Sequence, residues 1–124
     1  MFLDIAFVFL GGGLGSVARY GTSRLAARLL GNGFAWGTLA VNLAGCFLIG
    51  ILGGLFDRQA LSLRYRPLFI VGFLGGLTTF SSYAFDTFEF LRLGHWGKAL
   101  ANVALDNVLG LVLAAAGFIL AARR

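Results

Sequence analysis

Four stretches of this 124-residue chain are long and apolar enough to cross a bilayer, and that restricts its fold more than any other feature. The hydrocarbon layer is about 30 Å thick and takes about 20 mostly apolar residues in a helix. Residues 33–56 and 67–85 carry no charge, and residues 99–122 are interrupted only by Asp106. Residues 5–18 are also uncharged, and apolar character continues past Arg19. A lone strand in lipid leaves its backbone polar groups unpaired, so such spans must be helical. The expected architecture is an all-α membrane protein, a single domain over residues 1–124, with spans near 4–30, 33–56, 67–91 and 98–122. Hydrophobic residues at 59% against 12% charged leave too little polar surface for a water-soluble globule.

The opening "MFLDIAF" has an acid, Asp4, where a cleaved secretory signal carries positive charge, so the first span is expected to stay attached. Cys46 is the single cysteine, which rules out an intrachain disulfide and leaves it as a small apolar filler. The net charge of +5 is scattered over short loops, so it is read as a topology signal, with no nucleic acid as partner.

Four crossings place Arg58, Arg64, Arg66, Arg123 and Arg124 on one side and Arg24, Arg28, Arg92 and Lys98 on the other, with Arg19 inside the first span. Orientation follows an excess of Lys and Arg in cytoplasmic loops, and these loops are nearly balanced. Either orientation should therefore insert, and chains inserted both ways can pair as an antiparallel, dual-topology homodimer about a two-fold axis in the membrane plane. The alternative is a different protein that imposes one orientation. Four short helices leave little room for a polar path inside one subunit, which favours the homodimer.

Small residues recur at helical spacing: Gly11 and Gly15, Gly50 and Gly54, Gly72 and Gly76, Gly110 and Ala114. Helices in lipid associate through such faces, where backbones approach closely. Thr38, Asn42 and Gly45 share one face of the second span. An asparagine in hydrocarbon must find partners, and Asn42 on its own fits interhelical bonding as well as a pore lining.

The third span contains "GFLGGLTTFSSYAFD", residues 72–86. Gly75 and Gly76 weaken a helix there, and the hydroxyls of Thr78, Thr79, Ser81 and Ser82 can bond freed backbone groups, so a break near mid-membrane is expected. Broken membrane helices present carbonyls to cations and amides to anions. An ion site is expected at the break.

The runs "GGGLGSVARY" at 11–20, "GTLAVNLAGCFLIG" at 37–50 and "GFLGGLTTFSSY" at 72–83 resemble the CrcB/Fluc fluoride channel family in order, spacing and position. The fourth span agrees mainly in length and in Gly110. The resemblance implies a passive channel that exports cytoplasmic fluoride through pores at an antiparallel dimer interface, in lipid, in the bacterial plasma (inner) membrane. It further implies a structural sodium ion at the dimer centre, held by the backbone carbonyls of Gly75 and Thr78 from both subunits. Phe80 and position 83, here Tyr83, would turn ring edges to the anion, and Asn42 would donate from its amide. Ser81 and Thr79 match neighbouring motif hydroxyls. Arg19 matches an arginine near the pore entrance, where it raises local anion concentration or snorkels to the interface.

The chain departs from that family at three places. Tyr83 replaces the usual phenylalanine, residues 99–122 hold no Ser, Thr or Tyr, and Asp106 stands near a family serine, on the same face as Asn102 and Gly110. An ionised carboxylate inside a membrane costs at least a few kcal/mol, so Asp106 is protonated, paired or wet. Its readings are a neutral acid bonded to Asn102 or Asn42, a selectivity determinant attracting cations in a sodium-conducting relative, and a proton-coupling group. A proton-coupled, dual-topology exporter of small cations remains the other alternative, although its first span offers only Asp4 at the edge. Asp86 matches an acid the family tends to carry, and His95 is read as an interfacial neighbour of Trp96. No nucleophile, base and orienting acid fall in a recognisable pattern, and no phosphate loop occurs, so no enzyme is expected.

Overall fold

A computed structural model describes residues 1–123; Arg124, one of the loop charges counted above, lies outside the described residues. Helices α1 (Phe2–Leu30) and α2 (Trp36–Asp57) are continuous. A third run, Leu63–Arg92, is composite: a 3-10 turn Leu63–Tyr65, a π-helical stretch Pro67–Leu74, one short turn α3 (Gly75–Leu77), then α4 (Phe80–Arg92). The fourth, Trp96–Ala122, consists of α5 (Trp96–Ala104), a π-helical stretch Leu105–Leu109 and α6 (Gly110–Ala122). All four runs are long and apolar enough to cross a membrane, as the sequence led us to expect of a four-span protein.

Turn chemistry closes the third run onto the fourth. Gly94 has φ 77°, a left-handed conformation that costs glycine no steric clash. Its N–H donates to the Leu91 carbonyl at 3.0 Å and that of His95 to the Phe90 carbonyl at 2.8 Å, the paired bonds that cap a helix C-terminus. The chain then reverses, with His95 exposed at the N-cap of α5.

The small-residue faces bring backbones together. A side chain at Gly11 would strike the Leu68 carbonyl, one at Gly15 that of Phe73, and one at Gly76 that of Gly12, so α1 lies directly on the first half of the third run. Gly50 and Gly117 do the same between α2 and α6, facing the Ala114 and Phe47 carbonyls. Between these pairs sits a small core of Val41, Leu74 and Leu77, with Leu48, Leu52 and Phe73 against it. Large apolar side chains such as Phe9, Leu14, Phe80 and Leu111 are exposed along the outside, a surface suited to lipid or to another apolar face.

Neither π stretch is anticipated by the sequence pattern. Bonding from i to i+5 widens the turn and re-aims side chains, which is why such segments gather at functional sites. Two residues placed above on one face part ways where the stretch Leu105–Leu109 begins, Asn102 preceding it and Asp106 lying within it. Asn102 turns to α4, where its Nδ2 donates to Thr87 Oγ1 at 2.9 Å, whereas Asp106 turns to α2.

Candidate ion site

The site is built around two extended residues in the third run. Thr78 (φ −83°, ψ 156°) and Thr79 (φ −151°, ψ 111°) leave the helical region between α3 and α4. Each end of the break is capped by a hydroxyl. Thr78 Oγ1 and Thr78 N–H both donate to the Leu74 carbonyl, at 2.8 and 2.9 Å. Thr79 is the N-cap of α4, its Oγ1 accepting from the Ser82 N–H at 3.1 Å. Thr79 Oγ1 also lies 3.1 Å from Ser82 Oγ and 3.3 Å from Ser81 Oγ, so the hydroxyls of Thr79, Ser81 and Ser82 form one cluster.

Those caps release two carbonyls. In an unbroken helix the Thr79 N–H would donate to Gly75, but it donates to Asn42 Oδ1 at 2.8 Å. The Ser82 N–H would likewise have bonded Thr78, and the Thr79 hydroxyl takes it. Gly75 and Thr78 are the residues whose carbonyls the family resemblance assigns to sodium. Oxygen ligands freed from helical bonding suit a hard cation, so the donor set fits that ion.

Asn42 ties the break to the other helices. Its Oδ1 accepts from the Thr79 N–H, and its Nδ2 donates to the Thr79 carbonyl at 3.2 Å and to Asp106 Oδ1 at 2.9 Å. The partners fix which end of the amide is oxygen, because the N–H needs an acceptor and the two oxygens need donors. Asp106 thus bonds Asn42, one of the two neighbours offered by the sequence, and not Asn102. Its Oδ2 is buried without a hydrogen-bond partner.

A cavity of about 300 Å³ opens beside this network, lined by Asn42, Thr78, Thr79, Phe80, Tyr83 and Asp106 among others. Gly45 and Cys46 form its α2 wall. The Phe80 and Tyr83 rings lie 5.4 Å apart, inclined at 49°, and Phe80 is 79% exposed. Tyr83 OH accepts from Asn107 Nδ2 at 3.1 Å.

The fold therefore gathers Asn42, Thr78, Thr79, Phe80, Tyr83 and Asp106 into one place. Ser81 joins through the Thr79 hydroxyl, and exposed Gly75 lies just before the break. Arg19 is half-buried on α1 and does not line this cavity. Sequence reasoning missed Asn107 entirely. It also missed two polar ties: Thr38 Oγ1 donates to Asp86 Oδ2 at 2.7 Å, and Asn102, fully buried, holds Thr87, whose hydroxyl donates to the Tyr83 carbonyl at 2.8 Å. The available signal was the amide side chain itself, since an asparagine in an apolar span has to be matched by something.

Comparison with known proteins supplies a family. The family model described as CrcB-like protein, Camphor Resistance (CrcB), matches residues 6–118. A protein of Salinibacter ruber named fluoride-specific ion channel FluC is 47% identical over 115 residues, 93% of this chain and 86% of that one. A protein of Magnetococcus marinus with the same name is 46% identical over 114 residues, covering 91% and 92%. Another from Vibrio vulnificus is 39% identical over 118 residues, covering 94% of both.

Proposed function

The chain belongs to the CrcB family, and from that membership we propose that it is a passive fluoride channel. The observation that carries the reading is the meeting of an amide donor, Asn42, with two aromatic rings, Phe80 and Tyr83, at a break in a membrane-length helix. A small, strongly hydrated anion entering hydrocarbon must exchange water for other partial positive charges. Amide N–H groups and the positive rims of aromatic rings supply them without the fixed charge that would trap the ion. The hydroxyls of Thr79 and Ser81 extend the polar track. Arg19, on the first span, would raise fluoride concentration at an entrance.

The break would lie near mid-membrane, covered by an inverted second copy of the chain. Balanced loop charge supports the antiparallel dimer, and so does the exposure of Phe80 and Gly75, which a partner subunit would bury. With the partner's counterparts, the carbonyls of Gly75 and Thr78 would hold a sodium ion, which supplies positive charge to bind the two breaks together. The bacterial inner membrane is the setting that this role requires. The names of the relatives favour fluoride over the sodium-conducting and proton-coupled exporter readings. The bond from Asn42 also gives Asp106 a partner within the protein.

Fluoride efflux from liposomes holding the purified protein, read on a fluoride electrode, tests the assignment. Release well above protein-free liposomes is expected. Sodium uptake with no fluoride release would transfer the protein to the cation reading.

A further inference from the structure

The fourth span reaches the Asn42–Thr79 network through Asp106. Asp106 Oδ1 accepts from Asn42 Nδ2 at 2.9 Å, and the same amide holds both backbone polar groups of Thr79, the N–H at 2.8 Å and the carbonyl at 3.2 Å. Three contacts are consistent with one orientation of the Asn42 amide. A half-turn of that amide would set its oxygen against the Asp106 and Thr79 oxygens and its NH₂ against the Thr79 N–H. Asp106 is the only one of these contacts that comes from outside the second and third spans. We infer that Asp106 is a positioning residue: it orients the Asn42 amide against Thr79, and so holds the chain break in the geometry that frees the Gly75 and Thr78 carbonyls.

Several features of the site follow from this arrangement. The Thr79 N–H is captured by Asn42 only while the amide oxygen faces it, and that capture is what withholds the N–H from Gly75. The shorter of the two Nδ2 bonds goes to Asp106, so the Thr79 carbonyl is the acceptor that an anion would replace more easily. The aspartate also has reach. In a span without hydroxyl side chains, a carboxylate on the π-helical stretch Leu105–Leu109 extends far enough to meet α2, and the widened turn there aims it at Asn42 while Asn102 keeps its bond to α4. Other groups around it are Cys46 and Asn107 on the cavity wall, neither of which bonds the carboxylate.

The inference rests on the channel reading only for its effect on flux, so its primary test is structural. Amide hydrogen exchange at Thr79 is to be followed by NMR in micelles for the native chain, Asp106→Leu and Asp106→Asn, with Val41 as an internal reference on α2. Losing a hydrogen bond that fixes the amide should speed Thr79 exchange by about tenfold in Asp106→Leu. Asp106→Asn, whose side-chain oxygen can still accept from Asn42, should stay within about twofold of the native rate. Unchanged exchange in Asp106→Leu would overturn the proposal, as would equal acceleration in both variants. Should Asp106→Leu fail to yield folded protein, Asp106→Ala provides the same comparison. Fluoride efflux from the same samples is expected to fall in Asp106→Leu and to survive in Asp106→Asn. A native chain that releases no fluoride would fail the channel reading and leave the exchange result to judge Asp106 on its own.

Discussion

The methyl group of Thr78 occupies the space that a side chain at Gly45 would fill. The second span is therefore notched where the third one breaks, and the extended backbone at Thr78 lies against that notch. Gly45→Ala should push Thr78 out of place. Alanine gains about 1 kcal/mol of helix propensity, but overpacking a close contact costs about 1–3 kcal/mol. A lower thermal midpoint and reduced fluoride efflux are expected, with Gly13→Ala, where nothing lies within 4 Å, as the control that loses neither.

Phe80→Ile keeps apolar bulk but removes the ring whose rim, on the proposed reading, would face the anion. Efflux should fall about tenfold or more, equivalent to ~1.4 kcal/mol or more in the barrier, with the oligomer unchanged on size exclusion. Native rates in this variant would take Phe80 out of the ion path.

Tyr83→Phe separates the ring from its hydroxyl. The hydroxyl accepts from Asn107 at 3.1 Å, and an exposed bond of this kind is worth at most about 1 kcal/mol. Stability should change by no more than that, and fluoride efflux should be retained or rise. A loss of efflux would make the hydroxyl itself part of the path.

Replacing sodium with a bulky organic cation tests the carbonyl site without mutation, which no side-chain change at Gly75 or Thr78 can do. A ligand held only by the folded state stabilises it by about 2.7 kcal/mol at a hundred times its dissociation constant. The thermal midpoint should climb with sodium and not with the substitute. Identical midpoints in both would remove sodium from the site.

The parts of the site legible in the sequence were those written locally. Gly75 and Gly76 followed by Thr78 and Thr79 weaken a helix and supply its caps within a few residues, so a break could be anticipated from propensity alone, although the glycines stay helical and the extended residues are Thr78 and Thr79. The helical spacing of small residues likewise marked the faces through which the helices pack, but not that α2 would meet α6 and α1 the third run. What stayed hidden depends on partners far apart in the chain. Asn42 lies 64 positions from Asp106, so the sequence could offer it only as one of two partners, and the tie between Thr38 and Asp86, 48 positions apart, was not foreseen at all. No periodicity distinguishes a bonded asparagine from an unbonded one. The π stretches were hidden for a different reason: they arise from fitting a helix to its neighbours, and residues such as Leu105 and Val108 have no preference for i+5 bonding over i+4.

The π stretch at Leu105–Leu109 makes the fourth span behave as two screws cut with the same pitch but joined out of phase. Its N-terminal half engages α4 through Asn102, and its C-terminal half engages α2 through Gly110 and Gly117. One residue corresponds to about 100° of rotation in a regular helix. Deleting a single residue in that joint would restore the thread and leave one of the two halves facing the wrong neighbour.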